Sequence, residues 1–178
     1  MKKNTSVSLS DFVDDVYILK ALTRYNNKFK IISESVAEHS YFVAVLTLKL
    51  HDDYNFNLEK ALKMSLIHDI PELHLSDVTH DVKRNFPKLA KEVTKAEYVI
   101  MKERYPQWYS TFKYFEDQDS PEALAVKMAD NLSCVQYATA EMELGNKGYM
   151  KEVATNAAKR VMECESNLQK YRRIKNAN

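Results

Sequence analysis

Three histidine–aspartate pairs punctuate this sequence: His51-Asp52, His68-Asp69 and His80-Asp81. An imidazole nitrogen beside a carboxylate oxygen can ligate one metal ion, so each pair is a candidate centre. A dipeptide alone carries little information, and the surroundings decide among the three. Only His68-Asp69 has an apolar, helix-like approach (Leu58, Leu62, Leu66) and a further carboxylate, Glu72, just across the turn at Pro71. His51-Asp52 ends a helix and runs into polar Asp53-Tyr54-Asn55. His80-Asp81 precedes Lys83-Arg84 and reads as solvated loop.

Two more polar groups stand where core residues belong. His39 heads the stripe Phe42, Val43, Leu46, Leu50, and Asp130 shares a face with Ala123, Val126, Cys134 and Tyr137. A buried, unpaired carboxylate is costly, so an Asp on such a face is paired, capping or metal-bound. Singly, each has an ordinary explanation as a hydrogen-bonded core histidine or an ion-paired aspartate. Together, His39, His68, Asp69 and Asp130 offer two imidazoles and two carboxylates from three helices, a suitable set for Zn, Mn, Fe or Co. Four protein ligands leave room for water only at a five- or six-coordinate ion, which favours octahedral preference over closed tetrahedral zinc.

These residues need elements to position them. The chain has only two glycines, Gly145 and Gly148, too few for the tight turns of a sheet protein, so the expected class is all-α. The patterning predicts helices from after Ser10 to about Arg24, from the capping box Ser35-Val-Ala-Glu38 to about Leu50, and from Leu58 to Asp69. Further helices are expected from Pro87 to about Arg104, over the aromatic stretch 107–115, from the Ser120-Pro121 cap to Leu144, and from about Tyr149 to Arg173. Trp108, Tyr109, Phe112 and Phe115 are either core or an interface. The expectation is a single domain over residues 1–178, with a core of about 10–145 and a C-terminal helix of about 149–173. At 45% apolar and 29% charged residues the composition is that of a globular protein. A net charge of +1 argues against nucleic-acid polymers and membranes as partners. Cys134 and Cys164 are too few for a disulfide framework and read as reduced thiols. The absence of an export signal or a long apolar run makes the cytoplasm the expected address.

The order His39…His68-Asp69…Asp130 resembles the H…HD…D signature of the HD-domain phosphohydrolases. The segments 19-LKALTRY-25, 34-ESVAEHS-40, 66-LIHDIPELHLSDVTHDVK-83 and 122-EALAVKMADNL-132 are similar, in order, to the small single-domain 5′-deoxynucleotidases of that family. Two departures fall near the nucleoside: Tyr25 stands where those enzymes often carry tryptophan, and Thr79-His80-Asp81 where they tend to have proline.

The resemblance implies an all-helical hydrolase holding one divalent metal (Co, Mn, Zn, Fe or Mg) on His39, His68, Asp69 and Asp130. It implies that Glu72 orients the attacking water or accepts its proton, and that Arg24, Lys83 and Lys127 supply positive charge to the phosphate. Asp77 matches the family position that contacts the sugar, and Tyr25 would stack on the base or close the sugar side. The expected partner is a nucleotide, and the likeness implies a homodimer. The leading activity is hydrolysis of (deoxy)nucleoside 5′-monophosphates. A triphosphohydrolase that releases tripolyphosphate from dNTPs is the alternative, and an inactive nucleotide-binding module is the second.

Overall fold

The computed structural model describes residues 7–177, and among them there are nine helices and no strand. They are α1 (Leu9–Ile18), α2 (Val36–Tyr54), α3 (Leu58–Ile67), α4 (Glu72–Leu75), α5 (His80–Asn85), α6 (Pro87–Arg104), α7 (Tyr109–Asp117), α8 (Pro121–Glu143) and α9 (Gly148–Ala177). The all-α expectation holds.

Local chemistry explains most boundaries. Ser35 and Glu38 close the capping box reciprocally: Ser35 Oγ accepts from Glu38 N at 3.2 Å, and Glu38 Oε2 accepts from Ser35 N at 2.7 Å. Ser120 Oγ accepts from Ala123 N at 3.2 Å, with Pro121 at the first helical position of α8. Gly145 takes φ +105° in the turn to α9, a conformation that side chains with a Cβ resist.

α8 packs along α9 and also contacts α2, α3 and α7. Its fully buried Ala123, Ala125 and Ala129 let these neighbours approach closely. Around them Val43, Leu50, Met64, Phe115, Val126 and Leu168 form the main core. A second cluster joins Ile67, Ile70, Met101, Tyr105 and Phe112, with Phe12, Trp108 and Tyr109 packed against it. Phe112 and Phe115 are therefore core, with Trp108 and Tyr109 half-buried against it, while Tyr114 is exposed.

The sequence expectation fails over residues 19–24 and 70–85. α1 starts one residue after Ser8, whose Oγ accepts from Asp11 N at 3.1 Å, and stops at Ile18 rather than Arg24. No residue of α1 is fully buried. The chain then turns, and Arg24 N donates to Glu34 O, and Val36 N to Leu22 O, both at 2.9 Å. Tyr25 takes a left-handed φ of +54°, which no helix tolerates. α3 ends at Ile67, two residues before Asp69, and α4 and α5 are short helices where a polar loop was expected. His80 accordingly opens α5 instead of lying in a solvated loop.

The 19–35 loop is held by a fully buried carboxylate. Glu141 Oε1 accepts from Ile31 N at 2.9 Å and Ile32 N at 2.5 Å, and Oε2 from Asn146 Nδ2 at 2.5 Å. Burial opposes its ionisation, but these donors outweigh it and lower its pKa. Glu141→Ala would strand two loop N–H groups at about 1–3 kcal/mol each, so it should cost about 2–5 kcal/mol in urea denaturation with helical content preserved below the transition.

Candidate metal centre and its cavity

The first turn of α2 carries His39, which is completely buried. His68 is the C-cap of α3, Asp69 follows in the turn, and Asp130 lies midway along α8. Their donor atoms converge. His39 Nε2 lies 3.3 Å from Asp130 Oδ1, 3.5 Å from Asp69 Oδ2 and 3.4 Å from His68 Nε2. His68 Nε2 is 3.3 Å from Asp69 Oδ2. Metal–ligand bonds of about 2.0–2.2 Å set neighbouring donors about 3–3.5 Å apart, so the spacing fits one shared cation. His39, His68 and Asp130 can be satisfied together, their ligand atoms all within 4.8 Å of one another, and Asp69 closes on both imidazoles.

One imidazole already has the tautomer such a cation needs, and the other can adopt it. His68 Nδ1 lies 2.9 Å from Ser65 O, which can only accept, so the proton sits on Nδ1 and Nε2 offers its lone pair. His39 Nδ1 faces Ser133 Oγ at 3.0 Å and Arg24 Nη1 at 2.9 Å. A guanidinium can only donate, so freeing Nε2 for a cation requires a proton on Nδ1, with Ser133 Oγ accepting it and the Arg24 contact given up. Burial, reinforced by Arg24, lowers the His39 pKa despite the two aspartates, which keeps the ring in its neutral, ligating form. Burial opposes ionisation of Asp130, but Lys127 and the imidazoles hold its carboxyl well below the usual range.

The other expected site residues gather in the same place. All of them except His39 line one open cavity of about 340 Å³. Glu72 opens α4, and its Oε2 is buried without a hydrogen-bond partner among the described residues. Burial, then the neighbouring Asp69 and Asp77, push its pKa well above the carboxylate range. Arg24 donates to Glu34 Oε2 at 2.8 Å and to Cys134 Sγ at 3.3 Å. Lys83 pairs with Glu97 at 3.2 Å, and Lys127 with Asp130 Oδ2 at 2.7 Å.

Tyr25 stacks on Tyr137, ring centroids 5.1 Å apart, so one face of its ring is already covered. Asp77 is not a helix cap, since its Oδ2 accepts from Tyr25 N at 2.5 Å. That bond is one of a series that laces residues 25–28 onto 76–81. Asn26 Nδ2 donates to Ser76 Oγ and Asn27 Nδ2 to Thr79 Oγ1, both at 3.3 Å, and Lys28 Nζ to Asp81 Oδ2 at 2.6 Å.

Several participants were not singled out from the sequence. Ser133 is three residues past Asp130 on the same helical face, and Glu34 begins a segment that was already suspect. Glu97, Glu116 and Arg160 also line the cavity, and no sequence spacing tied them to it; His80, set aside in the sequence as solvated loop, lines it too.

The chain is similar to known proteins over most of its length. The family model described as HD domain matches residues 16–170. A 5′-deoxynucleotidase of Danio rerio is 30% identical over 130 residues, which is 67% of this chain and 62% of that protein's length. The chain thus spans less than two thirds of this relative. A protein of Pyrococcus horikoshii OT3, PH0347, is 30% identical in sequence and superimposes with a TM-score of 0.76, covering 93% of this chain and 99% of that one. The cyanophage S-2L HD phosphohydrolase, solved bound to dA and one catalytic Zn2+ ion, is 15% identical. It shares the fold at a TM-score of 0.69 over 96% of this chain and 97% of its own.

Asp130→Ala should abolish tight uptake of Mn or Co, measured by elemental analysis after gel filtration, while the helical circular-dichroism spectrum persists. Because it also removes the partner of the part-buried Lys127 ammonium, it should lower stability by about 1–2 kcal/mol. Normal metal content in this variant would refute the donor assignment.

Proposed function

This chain belongs to the HD-domain family, and on that premise we propose that it is a metal-dependent 5′-nucleotidase hydrolysing deoxynucleoside 5′-monophosphates to nucleoside and inorganic phosphate. The observation that carries this reading is the convergence of four ligating atoms beside a buried, proton-avid carboxyl in a cavity of nucleotide size. The names of the curated relatives and the zinc ion of the phage protein support it. His39, His68, Asp69 and Asp130 would hold the ion, with Co, Mn, Zn, Fe or Mg as candidates. When bound, a divalent ion supplies Lewis-acid charge for a phosphoryl oxygen and lowers the pKa of a water.

The chain's own residues do the rest. Among the described residues Glu72 has no competing side-chain hydrogen bond, and its proton affinity is raised, which suits it to orient the attacking water and take its proton. Arg24 offers a planar fork for two phosphoryl oxygens once its contacts with His39 and Glu34 are released. Asp77 and Tyr25 flank the sugar position, with Tyr25 as a wall held by Tyr137. Lys127 holds Asp130 in its ionised form and steadies it.

One observation favours a monophosphate over a triphosphate. Asp69, Glu72, Asp77, Glu97, Glu116 and Asp130 line the cavity against Arg24, Lys83, Lys127 and Arg160. Lys83 and Lys127 are each engaged by a carboxylate, so neither is a free clamp for a β- or γ-phosphate. We read residues 1–178 as one HD phosphohydrolase domain that works in the cytoplasm as a homodimer. Among the described residues no helix is long and apolar enough to cross a membrane. Exposed Leu9, Val13 and Tyr17 on α1 offer apolar surface that a second copy can cover.

The direct test is hydrolysis of ribo- and deoxynucleoside mono- and triphosphates with Mn, Co or Mg. Phosphate from dNMPs is expected; tripolyphosphate from dNTPs, with dNMPs untouched, would reverse the choice. Glu72→Ala should lower kcat by about 10²–10⁴ with metal retained. Loss of metal instead would make Glu72 part of the ion's support. Lys83→Ala should change kcat/KM for dNMPs only a few-fold, whereas a strong rise in KM for dNTPs alone would point to the triphosphohydrolase.

A further inference from the structure

Hydrolysis of a nucleotide leaves two products in one cavity, and the mouth of this cavity suits only one of them. Its six carboxylates outnumber its four side-chain cations, so a phosphate dianion freed beside Asp130 is repelled along that way out. On the nucleotidase reading the nucleoside lies there as well, against Tyr25 and Asp77.

A second hollow, of about 420 Å³, opens on the other side of the metal centre, lined by Gln118, Leu124, Lys127, Arg160, Glu163 and Asn167. Gln118, Lys127 and Arg160 belong to both hollows and form their common wall. Its place along α8 is opposite to that of the sugar wall. Lys127 and Leu124 lie about 5 and 9 Å before Asp130 at the rise of an α-helix. Cys134 and Tyr137, which back Arg24 and Tyr25, lie about 6 and 10 Å after it. At the centre of the common wall stands one flexible side chain. Lys127 Nζ donates to Asp130 Oδ2 at 2.7 Å and lies 5.3 Å from the centroid of the Phe115 ring. An ammonium has three donors, so it can hold Asp130 and a phosphate oxygen together.

The chemistry beyond Lys127 is that of a path for an anion. Lys127 and Arg160 face one carboxylate, Glu163, which Lys159 meets at 4.0 Å. Among the described residues Arg160 meets only His80 Nε2 and forms no ion pair. Asn167 Oδ1 accepts from Lys170 Nζ at 3.0 Å, which leaves the Asn167 amide group to donate. The Gln118 carboxamide makes no hydrogen bond among the described residues. No aromatic side chain among them lines the hollow, so it offers a nucleobase nothing to stack on.

We propose that this hollow receives inorganic phosphate, passed from Lys127 to Arg160 with Gln118 and Asn167 donating beside them, so that the two products leave by separate openings. The proposal rests on the nucleotidase reading and deepens it: the nucleoside withdraws past Tyr25, and the phosphate does not have to wait for it. Product departure rather than bond cleavage often sets kcat, so a separate exit raises turnover.

The test fills the hollow from its outer side with Asn167→Trp and, one turn away on α9, Glu163→Trp; both positions are exposed. With the metal-loaded variants in excess over dNMP, the single-turnover rate should stay within about twofold of that of the unaltered protein. Steady-state kcat should fall at least about tenfold, with a burst of about one deoxynucleoside per site and an unchanged circular-dichroism spectrum. An unchanged kcat in both variants, or a single-turnover rate that falls as far as kcat, would overturn the proposal while leaving the nucleotidase reading intact. Absence of any dNMP hydrolysis by the unaltered protein would remove that reading. In that event, calorimetric binding of inorganic phosphate that both variants lose would still support the hollow, and binding that is absent or unaffected would overturn it.

Discussion

Two imidazoles and two carboxylates, with His39 Nε2 3.3–3.5 Å from a donor atom of each of the other three, must meet at one wall of the cavity, and the rest of the fold is arranged to allow it. Neighbouring residues on a helix point in different directions, so His68 and Asp69 can serve one point only if α3 ends between Ile67 and the pair. The alanines of α8 bring Asp130 close to α2, and the capping box fixes the turn from which His39 projects. Two aspartates facing one neutral ring repel each other. Lys127 and Arg24 offset part of that repulsion, and a shared cation would complete the balance.

The cavity's charge has the same logic. Six carboxylates face four side-chain cations, and most of those cations are already paired. A phosphate dianion entering this space would meet net repulsion from the protein alone. Affinity for such a ligand is therefore tied to the ion, so metal and substrate bind in the same thermodynamic cycle, each strengthening the other.

Much of this was legible in the sequence because it is encoded locally. Pro87 and the Ser120-Pro121 cap mark their helices without help from elsewhere, as does Ser35-Glu38; His39, Asp69 and Asp130 stood out as polar groups on apolar stripes, and His68 as the neighbour of Asp69. What could not be read depends on distant partners. α1 looks able to continue past Ile18, yet Tyr25 is turned out of helix by an acceptor, Asp77, 52 residues away. The loop that follows is held by Glu141, about 110 residues away. Lys83 and Lys127 were recognisable as cations, but the carboxylates that engage them belong to the tertiary structure. Arg160 was hidden for another reason: it lies in a highly charged last helix, whose polar residues ordinarily face solvent.

The lacing of residues 25–28 onto 76–81 also has a kinetic meaning. Each of its bonds closes a loop of about fifty residues, and such closures cost chain entropy before any contact rewards them. Helices α2, α3 and α8 bury apolar surface without these bonds, whereas the position of residues 25–28, next to Arg24, depends on them. On this basis the cavity wall would be completed late in folding, after the core. A partly folded molecule would carry a cavity without its arginine, and the ability to act on a phosphate would report that the whole domain has been assembled.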